Sequence, residues 1–438
     1  MYRYLLVINL FLLSGSIFGQ EMLSQEEAVS IALENNYSIK ISKTQIKIAE
    51  SNNTKGNAGM LPTITATGAK NYNVNNTQLK FFDDKLPIID RRGVQNNTGN
   101  VGVGLVWTVF DGMGMFIARD QLGKLRLMAE NNAKVVITNT VAQVLTAYYD
   151  VVRGEKRVKN LKKGLEISSD RLKLSKDRYE VGQGSKVDFL SSQVDYNQDK
   201  SDLIAAEQAL NNTKMALNTF LVRLPNIPFV TIDSIKIDKF LEIDKVQSAA
   251  TSSNPNLLQA KLNNTMAELD IKAQKAAQLP VVDFVSGYTY STNNNGAGAP
   301  QGTKQSQFLA LNYGLRASFN IFDGHNLKRR IENAKLNAEI NQIQEKDLII
   351  QLNLMIERSF QNYRNSLELI KLENENYKIA YLNTEIAFER YRVGNSTAYE
   401  LREVQRNAVA AETRLIEAEY NAKINEIELN RLSGKYIN

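Results

Sequence analysis

Two short stretches carry carboxylates in matching places. RYEVGQGSKVDF begins at Arg178 and RYRVGNSTAYEL at Arg390, and an acidic residue, Asp188 or Glu400, follows each glycine, Gly182 or Gly394, by six positions. Catalysis by such acids needs a nucleophile or a proton partner, and the composition withholds the usual ones. The chain has no cysteine, which excludes disulfides, a thiolate metal site, a cysteine nucleophile and a lipid-anchored N-terminal cysteine. His325 is the only histidine, so histidine triads and paired histidine ligands are ruled out. No catalytic residue, cofactor or metal is expected. Local structure offers the acids a plainer task. Ser185 to Asp188 and Thr397 to Glu400 each show the [ST]-x-x-[DE] spacing of a helix-starting capping box. Capping does not account for Glu403, which follows Glu400 with Arg402 between them.

The elements that present these acids come in duplicate. Tyr391 minus Tyr179 is 212, and the same offset relates Phe110-Asp111-Gly112 to Phe322-Asp323-Gly324. Leu61-Pro62 matches Leu279-Pro280 at 218, so the first copy is six residues longer between proline and phenylalanine. Each copy reads helix, Leu-Pro, strands, Phe-Asp-Gly, long helix, turn, return helix. The spacing predicts a first repeat over 21–222, with strands near 61–74 and 99–110, a long helix over 114–180 and a return helix over 185–222. A second repeat covers 244–438, with strands near 281–292 and 305–321, a long helix over 325–392 and a return helix over 397–433. An equatorial segment, 223–243, holds FVTIDSIKID and is expected to form a belt.

All seven prolines lie outside 114–222 and 325–433, where a ring would break the helical ladder. Counting by sevens from Ile137 gives Val144, Val151, Val158, Leu165, Leu172 and Tyr179, the period of supercoiled helices. Glu155, Lys162 and Lys176 interrupt the companion seam. A helix over 114–180 is ~100 Å long. The return helix (~57 Å) and a leading helix over 37–60 (~36 Å) together nearly match it, so two short helices stack beside one long one. The second copy repeats this with 255–278, 325–392 and 397–433. Gly182 and Gly394 fit left-handed C-caps, Asp111 and Asp323 fit N-caps of the long helices, and His325 fits the surface. Ser24 and Glu27 have capping-box spacing for a short leading helix.

Charge excludes little else: 53 basic and 47 acidic residues give +6 without a cluster, so nucleic acid is not an expected partner. The N-terminus combines Arg3, an apolar run from Leu5 to Leu13 and small residues from Ser14 to Gly19, the pattern of a secretory signal peptide over 1–20. That run is too short to span a bilayer, and no later segment reaches ~20 apolar residues.

Between Leu-Pro and Phe-Asp-Gly the period changes from seven to two. Leu309, Leu311, Tyr313, Leu315, Ala317, Phe319 and Ile321 form one face opposite Asn312, Gly314, Arg316, Ser318 and Asn320. Val101, Val103, Leu105, Trp107 and Val109 form another, with Val282, Phe284, Tyr288 and Tyr290 in a third strand and Ile64, Ala66, Tyr72 and Val74 in a fourth. The intervening 75–98 and 293–304 read as polar loops. Alternation of this kind suits a membrane barrel or a soluble half-buried sheet. In lipid a sheet can have no edge, and barrels begin at about eight strands, so four strands must be completed by other chains. Two chains would make eight strands and three would make twelve with room for a lumen.

With these features in order, the chain resembles the TolC-like outer membrane efflux protein family. The resemblance rests on EEAVSIALENN, the duplicated Leu-Pro unit and the two Arg-Tyr-x-Val-Gly turns. It implies a mixed α/β membrane protein: a homotrimer whose 12-stranded β-barrel, four strands per chain, lies in Gram-negative outer membrane lipid and continues as an α-helical coiled-coil barrel into the periplasm. It also implies docking to a periplasmic adaptor and an inner membrane pump, and passive outward conduction of drugs, metals, small molecules or proteins. The turns become tunnel tips, with adaptor docking at Val181, Gly182, Val393 and Gly394. Glu400 and Glu403 become the pore entrance, and Asp188 and Tyr391 the gate links. A gate arginine of some members falls at Ser396, a departure from the pattern. A secreted or periplasmic coiled-coil structural or adhesive protein without a pore stays open as the second reading, and fractionation separates the two.

Overall fold

A computed structural model describes residues 21–232, 234–296 and 303–437. The expected signal peptide over 1–20 and part of the expected loop 293–304 lie outside those residues. In chain order the elements are β1 (Glu21–Leu23), α1 (Gln25–Asn35), α2 (Tyr37–Asn52), β2 (Thr63–Leu79), β3 (Ile89–Phe110), α3 (Gly114–Glu180), α4 (Lys186–Phe220), β4 (Phe229–Thr231), α5 (Ile243–Ser253), α6 (Pro255–Ala276), β5 (Val281–Asn295), β6 (Gln305–Ser318), α7 (Asn326–Arg392) and α8 (Ala398–Leu432). They divide into two compact bodies, one drawn from 21–42, Ala133–Pro255 and 349–437, the other from Lys43–Asn132 and Asn256–Leu348.

The first body is built by helix packing. Ser24 and Glu27 close a complete capping box at α1, the serine Oγ accepting from Glu27 N at 3.2 Å and the glutamate accepting from Ser24 N at 2.9 Å. Beside it β1 pairs in parallel with β4, Glu21 opposite Phe229. The main core gathers Leu23, Ala32, Val144, Tyr148, Val151 and Leu217, and the Tyr148 hydroxyl donates to Leu23 O at 2.9 Å. A second cluster joins Val246 of α5 to Ile356 and Tyr363 of α7 and Leu429 of α8, with the Tyr363 hydroxyl donating to Asp238 O.

The seven-residue line on α3 holds only in part. Val144, Val151 and Val158 are buried, but farther along the helix the buried positions are Asn160, Gly164, Ser168, Arg171 and Ser175. A straight helix drifts ~20° per heptad against a strict seven-residue count, so the line slides off the seam. The residues that interrupt the companion seam are paired: Glu155 with Lys214 at 2.8 Å and Lys162 with Glu207 at 3.0 Å. One expectation is amended. α3 is, by length and composition, long and apolar enough to cross a membrane, but half of its most apolar stretch is buried within the fold.

The second body holds a four-stranded antiparallel sheet in the order β2-β3-β5-β6. The register places Val103 beside Tyr288 and Tyr288 beside Leu311; Trp107 beside Phe284 and Phe284 beside Leu315. Those side chains share one face, and Val103, Trp107, Tyr288, Leu311 and Leu315 are all exposed. Trp107 Nε1 still finds a partner, donating to Met60 O at 3.1 Å. On β3, β5 and β6 the apolar face ends at the row of Val101, Tyr290 and Leu309; the next row is Lys70, Gly99, Thr292 and Gln307, and on β2 Tyr72 and Val74 resume the face beyond it.

Here the strands differ from expectation. The stretch 75–98 is mostly strand rather than loop, because β2 and β3 stay paired from Thr63–Val106 out to Leu79–Ile89 with one bulge between Asn75 and Thr77. Beyond the apolar rows both faces of this ribbon are largely polar, with Tyr72, Val74 and Val94 too scattered to show the period of two. β6 stops at Ser318 instead of 321, since Ser318 pairs with Val281 and the next partner would be Pro280, which has no N–H to give. α2 also stops early, at Asn52 rather than 60, where the chain turns through Gly59 at φ 79°.

Each long helix follows two consecutive left-handed residues, Gly112-Met113 (φ 70° and 74°) and Gly324-His325 (φ 68° and 64°). His325 is exposed and sits edge-on to Phe322 at 5.3 Å. Asp323 caps α7, accepting from Leu327 N at 2.8 Å. Asp111 does not repeat this: its Oδ1 is buried without a partner among the described residues. Gly112 is required by space, since a Cβ there would lie 2.3 Å from Ala276 O.

Candidate functional site at the hairpin turns

The sequence-predicted residues all fall in the first body, at the α3–α4 and α7–α8 turns. Both helices end in the same bonds. Val181 N donates to Asp177 O at 3.1 Å, Gly182 N to Tyr179 O at 3.1 Å and Gln183 N to Arg178 O at 2.8 Å. The second turn repeats them at Val393, Gly394 and Asn395, at 3.1, 3.1 and 2.8 Å. Gly182 (φ 77°) and Gly394 (φ 86°) supply the left-handed step that lets a helix stop in this way. The adjoining Val181 (68% exposed) and Val393 (65%) point away from the protein.

The return helices begin with caps that are only half of the expected boxes. Ser185 Oγ accepts from Val187 N at 3.1 Å, and Thr397 Oγ1 from Glu400 N at 3.1 Å. Neither acid reciprocates. Asp188 is exposed and makes no hydrogen bond or ion pair among the described residues. Glu400 turns back to its own loop, accepting from Arg390 Nη1 at 3.0 Å and Ser396 Oγ at 2.9 Å. Ser396, where the resemblance points to an arginine, is a donor to Glu400. Glu403 is exposed.

Tyr391 is the buried member of the group, packed with Ala387 and Leu401. Arg178, from the other hairpin, donates to Tyr391 O at 2.5 Å and lies 4.7 Å from the centre of its ring. Burial pushes the Tyr391 hydroxyl up; the Arg178 and Arg171 cations oppose this, and the Asp188 carboxylate adds to it.

Above the turns lies a polar cluster that sequence reading missed. Arg402, between the two predicted pore acids, points the other way. Its Nη1 donates to Asp199 Oδ1 and Oδ2 at 2.8 and 2.7 Å. Arg171, whose side chain is 1% exposed, donates to Asp195 at 2.9 Å. Ser168 donates to Asp199, and Gln405 Nε2 donates to Gly164 O and Ser168 Oγ, both at 2.7 Å. α3, α4 and α8 are therefore joined here by charge and hydrogen bonds rather than by an apolar seam. Burial lowers the Arg171 pKa and the neighbouring Asp195 counteracts it, so the guanidinium stays a cation held by its partner. Two further residues were missed: Val187 and Tyr399, exposed at the turns and related by the same offset of 212. That offset was the available signal. No nucleophile and base are set against each other at these turns; the arrangement offers apolar tips, carboxylates and a polar clamp, which suits binding and constriction.

Comparison with known proteins bears on the chain as a whole. The family model described as "Outer membrane efflux protein" matches residues 28–221 and 246–435. Outer membrane efflux protein BepC of Brucella suis biovar 1 is 23% identical over 444 residues, covering 98% of this chain and 90% of that protein. Outer membrane protein TolC of Escherichia coli K12 is 20% identical over 354 residues, covering 79% and 71%. The crystal structure of outer membrane protein VceC from Vibrio cholerae superposes with a TM-score of 0.74 at 14% identity, over 94% of this chain and 96% of that one.

Proposed function

Because the chain belongs to the outer membrane efflux protein family, we propose that it is the outer-membrane exit duct of a tripartite efflux or type I secretion system. Its family lies in the Gram-negative outer membrane with a periplasmic extension. The duct is passive: an inner membrane pump supplies the energy, and a periplasmic adaptor seats on the turns at Val181, Gly182, Val393 and Gly394, with Val187 and Tyr399 widening that surface. One observation carries the reading. The sheet exposes a continuous apolar face, and its outer strands β2 and β6 each have one unpaired edge among the described residues. Water tolerates open edges, while hydrocarbon requires every backbone group to be paired. Three copies supplying twelve strands close the edges and leave a lumen. A pore-free coiled-coil protein would leave the apolar face and both edges uncovered.

At the periplasmic end, Glu400 and Glu403 of three copies form an acidic constriction, and Asp188, Tyr391 and Arg178 link the hairpins that close it. Like charges in a ring favour cations. Single-channel recording in planar bilayers tests this. E403Q is expected to lower the cation-to-anion permeability ratio by about twofold, and E400Q by less, since Arg390 already offsets that carboxylate. Unchanged selectivity in the E400Q/E403Q double variant refutes the acidic entrance.

A further inference from the structure

The polar face of the sheet is nearly free of charge. Where the four strands run together, it carries mostly asparagine, threonine, serine and glycine, as in the row of Asn71, Thr98, Asn293 and Ser306, interrupted by the uncharged Val106, Val285 and Phe308. Among the described residues of those paired rows it holds two charged side chains, Asp283 on β5 and Arg316 on β6, and the register places them directly opposite each other. Arg316 Nη2 donates to Asp283 Oδ2 at 2.8 Å, and Thr108 Oγ1 of β3 donates to Asp283 Oδ1 at 2.9 Å. The two partners are unequal. The Asp283 side chain is 11% exposed and that of Arg316 is 61% exposed. The carboxylate is sunk between neighbouring strands while the cation reaches into solvent.

We infer that Asp283 and Arg316 are a self-cancelling pair that keeps the lumen wall of the strand section neutral, so this section passes cargo of either charge sign. The inference rests on the duct reading, in which the polar face lines the lumen. A lone ring of charge in a narrow aqueous passage discriminates between ions. An opposite charge in direct contact reduces that ring to a set of short dipoles, whose field fades within the ~8 Å screening length of physiological salt. The remaining hydroxyls and amides both donate and accept, so they hydrate anionic, cationic and neutral solutes alike. Discrimination by charge is thereby confined to the hairpin turns, and cargo choice falls to them and to the components upstream. Asp283 is the specificity-determining residue of this wall because it offsets an exposed cation that cannot deprotonate.

The experiment uses the full-length protein in planar bilayers under a potassium chloride gradient. D283N keeps the shape of the side chain, with its one oxygen accepting from Arg316 and its amide NH2 donating to the Thr108 hydroxyl, but exposes one uncompensated cation per chain. Its cation-to-anion permeability ratio is expected to fall at least about twofold. D283N/R316Q removes both charges and is expected to return the ratio to the wild-type value, an outcome that a merely structural role for Asp283 would not give. A D283N channel with the wild-type ratio overturns the inference, as does a double variant that keeps the D283N ratio. Failure of the wild-type protein to form channels overturns the duct reading itself and is seen before any variant is compared.

Discussion

The two hairpin turns close with the same three backbone bonds and then use the same side chains differently. Arg178 and Arg390 occupy equivalent places, as do Tyr179 and Tyr391. Arg178 leaves its own hairpin to hold Tyr391 O, whereas Arg390 stays at home and holds Glu400 and Asn395 O. Tyr179 is 39% exposed and stacks on Phe189, while Tyr391 is 3% exposed beneath Arg178. Duplication thus preserved the shape of the turn and released its side chains to diverge. Where two copies must only bend the chain they agree, and where they differ one hairpin is tied to the other.

Replacing the tyrosines tests this most severely. Y391A empties a packed site and is expected to cost ~3–5 kcal/mol, read as faster hydrogen exchange across 384–404. Y179A removes an exposed ring and is expected to cost less than ~1 kcal/mol. Equal effects would end the claimed asymmetry. The arginines come next. R178A loses charged bonds to Tyr391 O and Arg392 O and is expected to cost about 2 kcal/mol, loosening both turns and raising channel conductance. R390A breaks a half-exposed pair, with a cost below ~1 kcal/mol confined to its own turn. G182A and G394A sharpen the other half of the comparison: each places a side chain at positive φ, and each should lower helix protection at its turn by a similar ~1–2 kcal/mol.

The smallest expected effect is at high pH. The Tyr391 hydroxyl is raised above the usual phenol value of about 10. A group raised on folding contributes stability that is complete below its unfolded pKa and is lost as pH rises through its folded one. The second turn should therefore loosen only in strong alkali, and ultraviolet titration of Y391F should lack one tyrosine that ionises above the usual phenol range.

Much of the helical frame was readable, because proline avoidance and apolar spacing act over many turns and α3 and α7 are long enough to average out exceptions. The sheet was readable only where one face is apolar. From Lys70, Gly99 and Thr292 outward the strands are largely polar on both faces, Tyr72 and Val74 aside, and polar strand then looks like loop. The clamp of Arg171, Asp195, Asp199 and Arg402 was not legible at all. Charged residues at helical spacing ordinarily mark a solvated face, and only three helices seen together show that Ser168, Arg171 and Gln405 are inside. The acids at Asp188 and Glu400 were found by spacing, but their partners were not: a capping-box pattern cannot tell whether the carboxylate closes the box or, as Glu400 does, answers a nearby arginine.

The uneven strands have a practical consequence. β5 leaves β3 at Asn96, so among the described residues 77–79 and 89–91 pair only with each other. An isolated two-stranded ribbon is marginally stable. It can open without disturbing the wall below, so on the proposed duct reading 80–88 is the place where a protease would nick intact cells first and where an epitope tag could be spliced in to count the protein on a living bacterium.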